Sequence, residues 1–329
     1  MKFFTARFFI LRFFTAPLFA ILKLLLIGCF AISSYSTAQP MKSREGFIKV
    51  TGGSVWYNIV GSGNATPLLL IHGGPGGSSC GLASLAKLGT HRQVIFYDQL
   101  GAGKSEQPDD LSLWNIDRFV EELDTVRKTL HLEKVHLLAH SWGAAIAGQY
   151  LLNKGTKGIA SVIFVGPYLS TEDWTESTTT LRQQLSPATQ AILRKHELAG
   201  TTESDEYQIA SEEFYKLFLY RQPHNDPPEC KDSAWNQTIY ETMWGNSEFF
   251  ASGNLKEFNA AKGLSHIKTP TLFIVGEYDE MQESNVLKYQ QQMQHASVSV
   301  IKDAAHMSMV DQPDEFLKLV ASFLQKTDK

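Results

Sequence analysis

Cysteine is scarce in this 329-residue chain: Cys29, Cys80 and Cys230 are the whole set. None of them stands at a metal-ligand spacing, which argues against a zinc or iron–sulfur framework. Two lie past residue 38, and nothing in the sequence says that they pair. There is no internal repeat and no low-complexity linker, so a solenoid or a string of modules is excluded. A dinucleotide fingerprint is missing too. The Gly101-Ala102-Gly103 stretch has no third glycine at the required spacing and no helix starting at once. Basic charge is in short supply where it would matter. The formal net charge is −4, but the first 38 residues hold Lys2, Arg7, Arg12 and Lys23 and no acid. The remainder has 26 basic against 34 acidic residues, a net of −8. That balance argues against nucleic acid as a partner and suits a cationic ligand.

At 43% hydrophobic and 19% charged residues the chain is globular. Residues 1–38 read as an export signal. Basic residues come first, an apolar run at 24–32 follows, and Ser36-Thr37-Ala38 gives a small-x-small cleavage pattern before Gln39. Lys23 interrupts the apolar stretch, so an uncleaved membrane anchor is the alternative. Leu26-Ile27-Gly28-Cys29 also resembles a lipobox, which makes a lipoprotein the third reading. Any contact with a membrane is expected through this segment alone.

Past the leader, residues 46–60 alternate apolar and polar side chains, as an opening hairpin with Gly52-Gly53 at its turn requires. Short apolar runs then recur at 67–71, 93–97, 135–138, 160–165, 271–275 and 298–301. Each is the length of a strand buried on both faces. Ile116, Phe119, Val120, Leu123, Val126 and Leu130 recur at helical spacing between two of these runs. Strands alternating with helices imply a mostly parallel, doubly wound sheet. From 168 to 262 the core strands vanish and helical segments take over, with 15 acidic and 8 basic residues. This stretch reads as a helical lid inserted between two parts of one core, 39–167 and 263–329.

The strand ends carry the chemistry. Val135-His136-Leu137-Leu138 runs through Ala139-His140 into Ser141-Trp142-Gly143, a buried strand, one serine and the start of a helix. Such a turn lifts the serine above the sheet and sets helix-start N–H groups beside it. The usual pattern is G-x-S-x-G, and Ala139 takes the first glycine's place. The strand at 67–71 ends in His72-Gly73-Gly74-Pro75-Gly76-Gly77, where glycines let backbone N–H groups approach a ligand closely. An acid follows the strand at 271–275, and His306 follows the last strand. Asp279 is the favoured acid, because it lies far enough past its strand to reach a histidine; Glu277 and Glu280 are the rivals. Serine, acid, histidine is the chain order of the α/β-hydrolases. The serine hydroxyl needs a base to take its proton, and the base needs an acid to fix its tautomer.

On these motifs the chain resembles the proline iminopeptidases, and most closely their subgroup similar to the tricorn-interacting aminopeptidase. His72-Gly73-Gly74-Pro75-Gly76, Tyr97-Asp98-Gln99-Leu100-Gly101, His140-Ser141-Trp142-Gly143 and Gly276-Glu277-Tyr278-Asp279-Glu280 carry the likeness, and Ala305-His306 completes it. The resemblance implies an α/β-hydrolase fold and a serine exopeptidase that removes one N-terminal residue, often proline, from peptides with a free N-terminus. It implies Ser141 as nucleophile, His306 as base, Asp279 as its partner, and the backbone N–H groups of Gly74 and Trp142 as oxyanion donors. It implies no metal and no organic cofactor. Glu248, within Asn246-Ser247-Glu248-Phe249, matches the position that binds the substrate amine, and Glu280 is expected to point into the same cleft. Two other readings compete: an esterase or lactonase on this fold, indifferent to a free amine, and a binding protein on a retired scaffold. The second would normally lack a member of the serine–acid–histidine set, and none is missing.

Overall fold

The structure is a computed structural model and describes residues 42–223, 230 and 235–328; the leader lies outside the described residues. An eight-stranded sheet organises the chain. Its strands are β1 (Ser43–Val50), β2 (Gly53–Val60), β3 (Ala65–Ile71), β4 (Arg92–Tyr97), β5 (Val135–His140), β6 (Ile159–Val165), β7 (Thr271–Gly276) and β8 (Ala296–Ile301). Their order is β1-β2-β4-β3-β5-β6-β7-β8. β2 pairs antiparallel with β1 and with β4, and every pairing from β4 to β8 is parallel.

Helices α1 (Ile116–Thr129) and α2 (Trp142–Lys154) flank β5 in sequence. Asn115 caps α1 by accepting from the Arg118 N–H, Asp117 lies in its first turn, and Arg127 and Lys128 lie in its last. Those charges oppose the helix dipole at both ends. Between β6 and β7 come α3 (Thr171–Arg182), α4 (Pro187–Ala199), α5 (Asp205–Phe218) and α6 (Gln237–Met243). Ser186 caps α4 with Pro187 behind it, and Gly200 ends it at φ 67°, a left-handed value that glycine adopts without strain. After β7 follow α7 (Glu283–Gln292), α8 (Ser308–Asp311) and α9 (Pro313–Thr327).

Alternation along each strand divides the core in two. Leu69, Ile71, Leu137, Ala139, Phe164 and Phe273 point to one face and pack with Phe119, Leu123, Ile146 and Tyr289 from α1, α2 and α7. Leu68, Leu70, Leu138, Ile163, Val165 and Ile274 point to the other and pack with Phe316, Val320 and Leu324 of α9. Leu82 and Leu85, from a 3₁₀ stretch at Ser79–Thr90, join that second face. A third cluster belongs to the inserted helices, with Leu181, Leu193, Tyr207, Phe214, Phe218 and Phe249 at its centre.

The neighbours of β3 decide where a site can form. β4 lies on one side and β5 on the other, so the chain reverses its winding between β3 and β5. Loops leaving the carboxyl ends of such strands diverge and leave a crevice between them. The register pairs Ile71 with Ala139 and His140 with Val165. The loops that begin at His72, Ser141 and Gly166 therefore open side by side.

Candidate active site

Ser141 stands between β5 and α2 at φ 53° and ψ −120°, a backbone conformation that side-chain-bearing residues rarely adopt. Its N–H donates to the Val165 carbonyl (2.9 Å), and its carbonyl accepts from Ala144 (2.9 Å) and Tyr168 (3.3 Å). The turn is thus held from both sides. The glycine that makes it possible is Gly143: a Cβ there would lie 2.2 Å from the Ile71 carbonyl oxygen. Ala139 has no such problem. Its methyl is fully buried within the sheet-face cluster beneath α2.

Asp279 and His306 meet across the top of β7 and β8. His306 Nδ1 lies 2.8 Å from Asp279 Oδ1, with both side chains buried. Asp279 Oδ1 also accepts from the Met281 N–H, and Oδ2 accepts from Gly276. Asp279 is therefore fixed from its own loop, and the imidazole must carry its proton on Nδ1 to bond it, leaving Nε2 as the basic nitrogen. Glu277 turns away and accepts from the Asp303 N–H near solvent. Of the three acids in this loop, Asp279 is the one at Nδ1.

The histidine loop is tied to the inserted helices. The N–H groups of His306 and Met307 donate to the carbonyls of Phe218 and Leu219. Asp311 accepts from Ala305 (2.8 Å), Arg221 (2.9 Å) and Gln222 (2.9 Å). His140, beside the serine, is kept neutral: burial and then the nearby charge of His306 hold its imidazole well below the ordinary value. Its Nε2 donates to the His306 carbonyl at 3.3 Å.

Ser141, Trp142, Gly74, His306, Glu248 and Glu280 line one cavity of about 610 Å³. Gln99 joins its two loops. The Gln99 side chain donates to the His72 carbonyl and accepts from the Trp142 indole N–H, while its backbone N–H donates to His72 Nε2. The backbone of His72-Gly73-Gly74 is thereby fixed against the helix start that follows the serine. Nothing in the spacing of residues identified Gln99 as this link, although it stood in a motif already noted.

The two glutamates differ sharply. Glu248 is half-buried and well satisfied: Trp174 Nε1 donates to Oε1 (3.2 Å), and the Tyr215 and Tyr240 hydroxyls donate to Oε2 (3.3 and 3.0 Å). Burial raises its carboxyl, and those three donors together with His306 work against the rise. Glu280 is 3% exposed, and its Oε1 has no hydrogen-bond partner among the described residues. Its Oε2 lies 3.9 Å from His306 Nε2. Burial, then the charges of Glu248 and Asp279, push the Glu280 carboxyl well above the usual range. A buried, unpartnered carboxylate beside a second one is costly to ionise, and a cation placed between them lowers that cost. Tyr168, Trp174 and Trp244 stack edge to face around this end of the cavity. These aromatic positions were not identified from the sequence, because they come from loops and helices with no shared local pattern.

Cys80 and Cys230 form a disulfide, and both line the cavity. The described residues contain no cluster of three or more histidine, cysteine, aspartate or glutamate side chains able to hold a metal ion. No helix among them is long and apolar enough to cross a membrane.

Comparison with known proteins extends this geometry. A family model described as the alpha/beta hydrolase fold matches residues 66–313. A proline iminopeptidase of Heyndrickxia coagulans is 40% identical over 283 residues, covering 85% of this chain and 98% of the relative. One from Clostridium botulinum is 33% identical over 293 residues, covering 88% of this chain and all of the relative. The crystal structure of a Mycobacterium smegmatis proline iminopeptidase superposes with a TM-score of 0.77 at 29% identity, covering 87% of this chain and 99% of that one.

Proposed function

Because the chain belongs to the proline iminopeptidase family of α/β-hydrolases, we propose that it releases the N-terminal residue, preferentially proline, from peptides with a free N-terminus. The observation that carries this reading is the acid pair, buried Glu280 with an unpartnered oxygen and half-buried Glu248 beside it, in the same cavity as Ser141 and His306. An enzyme that counts one residue from the end must sense the terminal ammonium, and buried carboxylates do so with little screening.

The proposed reaction assigns each of these residues a role. Glu280 and Glu248 hold the substrate's ammonium group and set its first carbonyl over Ser141. Ser141 Oγ attacks the carbonyl carbon while His306 Nε2 takes the hydroxyl proton, and Asp279 stabilises the imidazolium through Nδ1–H. The backbone N–H groups of Trp142 and Gly74 hold the oxyanion, with Gln99 keeping their two loops in register. The tetrahedral intermediate collapses, the C–N bond breaks, and His306 gives its proton to the leaving amine. Water, deprotonated by His306, then attacks the acyl-enzyme. The free amino acid leaves, and Ser141 recovers its proton. Residues 168–262 act as a lid, which brings Glu248 over a core that supplies Glu280.

We further propose that the protein works outside the reducing cytoplasm, its leader cleaved before Gln39. The Cys80–Cys230 disulfide supports this, because such bonds persist in oxidising compartments. N-terminal sequencing from the native host tests it; an intact Met1 in membranes, or a lipid-modified Cys29, points to an anchor instead. For the activity, the test is a panel of aminoacyl-nitroanilides, each with and without an N-acetyl block. The expected result is fastest release from prolyl-nitroanilide and none from the blocked compounds. Equal cleavage of blocked and free substrates points instead to an esterase-like enzyme.

A further inference from the structure

We propose that the cavity contains a second binding position, for the residue that follows the one released, and that it selects a bulky apolar side chain there. This rests on the exopeptidase reading above. The space is larger than a prolyl group needs, at about 610 Å³. Its walls also come from opposite faces of the sheet. Trp174 and Trp244 belong to the cluster that packs beneath α1 and α2, and Tyr240, which with Trp174 donates to Glu248, packs against it. Leu82 and Met307 belong to the cluster on the other face, and Leu219 packs against it.

These last three, with the Cys80–Cys230 disulfide, make one continuous apolar strip along the cavity. Its parts are fixed to one another. The Met307 N–H donates to the Leu219 carbonyl at 3.0 Å. Gly81, between Cys80 and Leu82, comes so close to Met307 that a Cβ on it would lie 2.9 Å from the methionine methyl. The sulfur bridge adds polarizable, apolar surface beside them.

The direction of the substrate places its second residue here. Its ammonium is held on the acid side, at Glu248 and Glu280, and its first carbonyl lies over Ser141. Beyond the scissile bond the chain continues past His306 toward Met307 and Leu219. Among the described residues the strip has no charged side chain to receive a lysine or an aspartate. An apolar side chain covers surface that otherwise faces water, whereas a charged one gives up hydration without gaining a partner. An aspartate there also faces the field of the two glutamates.

The experiment compares kcat/KM for Pro-Gly, Pro-Leu, Pro-Phe, Pro-Lys and Pro-Asp amides, read as proline released by the wild-type enzyme. Pro-Phe and Pro-Leu amides should exceed Pro-Gly amide by about tenfold, and Pro-Asp amide should fall below it. Leu219→Asp keeps the backbone carbonyl that holds Met307 and places a carboxylate on the strip. It should bring the Phe-to-Gly ratio toward one and raise Pro-Lys amide relative to Pro-Gly amide. Gly81→Leu, which fills the strip, should penalise Pro-Phe amide more than Pro-Gly amide. Should either variant fail to fold, the wild-type series decides alone. Turnover of Pro-Gly and Pro-Phe amides within twofold of each other overturns the second position and leaves the exopeptidase standing. Turnover of simple esters with no proline released from any amide overturns both.

Discussion

Glu280→Gln separates recognition from chemistry. The substitution keeps the shape of the side chain and removes its charge. Glu280 is 3% exposed, has an unpartnered Oε1, and sits beside Glu248 and Asp279. Breaking a buried charged contact by removing one partner costs about 2–5 kcal/mol. Glu248 remains to hold the substrate amine, so the lower end applies, which is roughly a 30-fold loss in kcat/KM for prolyl-nitroanilide. The catalytic histidine keeps Asp279, so hydrolysis of 4-nitrophenyl acetate, which offers no amine, should fall far less, by no more than the loss of the Glu280 oxygen 3.9 Å from His306 Nε2 imposes on the base. Stability should move the opposite way. The Glu280 carboxyl is raised in the folded protein, mainly by burial. The folded state therefore holds that proton more tightly than the unfolded one, and the resulting stability is present at low pH and lost as pH rises through the folded value. Above the ordinary carboxylate range this linkage is a cost to the folded state that glutamine, which does not titrate, removes, so the variant should melt at a higher temperature than the wild type while losing amine-dependent activity. Equal losses on the amine substrate and the ester would refute the reasoning, as would full activity on prolyl-nitroanilide.

Three further outcomes are expected. Ser141→Ala and His306→Ala should each lower turnover by several orders of magnitude with circular dichroism unchanged, and a serine-reactive phosphonate should label Ser141, read by peptide mass spectrometry. Gly143→Ala should cost several kcal/mol or abolish folding in denaturant melts, because its Cβ would fall 2.2 Å from backbone oxygen. Cys230→Ser should lower unfolding stability by about 2–5 kcal/mol, since the disulfide closes a loop with a sequence separation of 150; a reductant should reproduce the loss on the wild type and not on the variant.

What could be read from the sequence follows from how local each signal is. A parallel strand buried on both faces is a short apolar run, so β3 to β7 were legible within a residue or two; β8 was found by its short run as well, but as the last strand of the sheet it is buried only at Ile301 and not on both faces as its run suggested. Chemistry at strand ends was legible for the same reason: His72, Ser141, Asp279 and His306 each follow such a run. Helix α1 was legible because Ile116, Phe119, Val120, Leu123 and Val126 recur at helical spacing. The 3₁₀ stretch at Ser79–Thr90 was not, since its apolar residues follow neither a helical nor a strand period. Long-range pairing was equally hidden. Cys80 and Cys230 belong to the core and the insertion, and only the fold brings them together. Trp174, Tyr215 and Tyr240 converge on Glu248 from three separate helices. Glu280 could be placed in the cleft by its position next to Asp279. That one of its oxygens lacks a partner required the surrounding structure.

The central claim is that this serine hydrolase counts one residue from a charged N-terminus. The most direct measurement incubates the wild-type enzyme with the peptide Pro-Phe-Gly-Ala-Lys and with its N-acetylated form, following both by mass spectrometry over time. The account predicts loss of a single proline from the free peptide, accumulation of Phe-Gly-Ala-Lys, and an intact acetylated peptide. Release of acetyl-proline, or internal cleavage of either peptide, would contradict it.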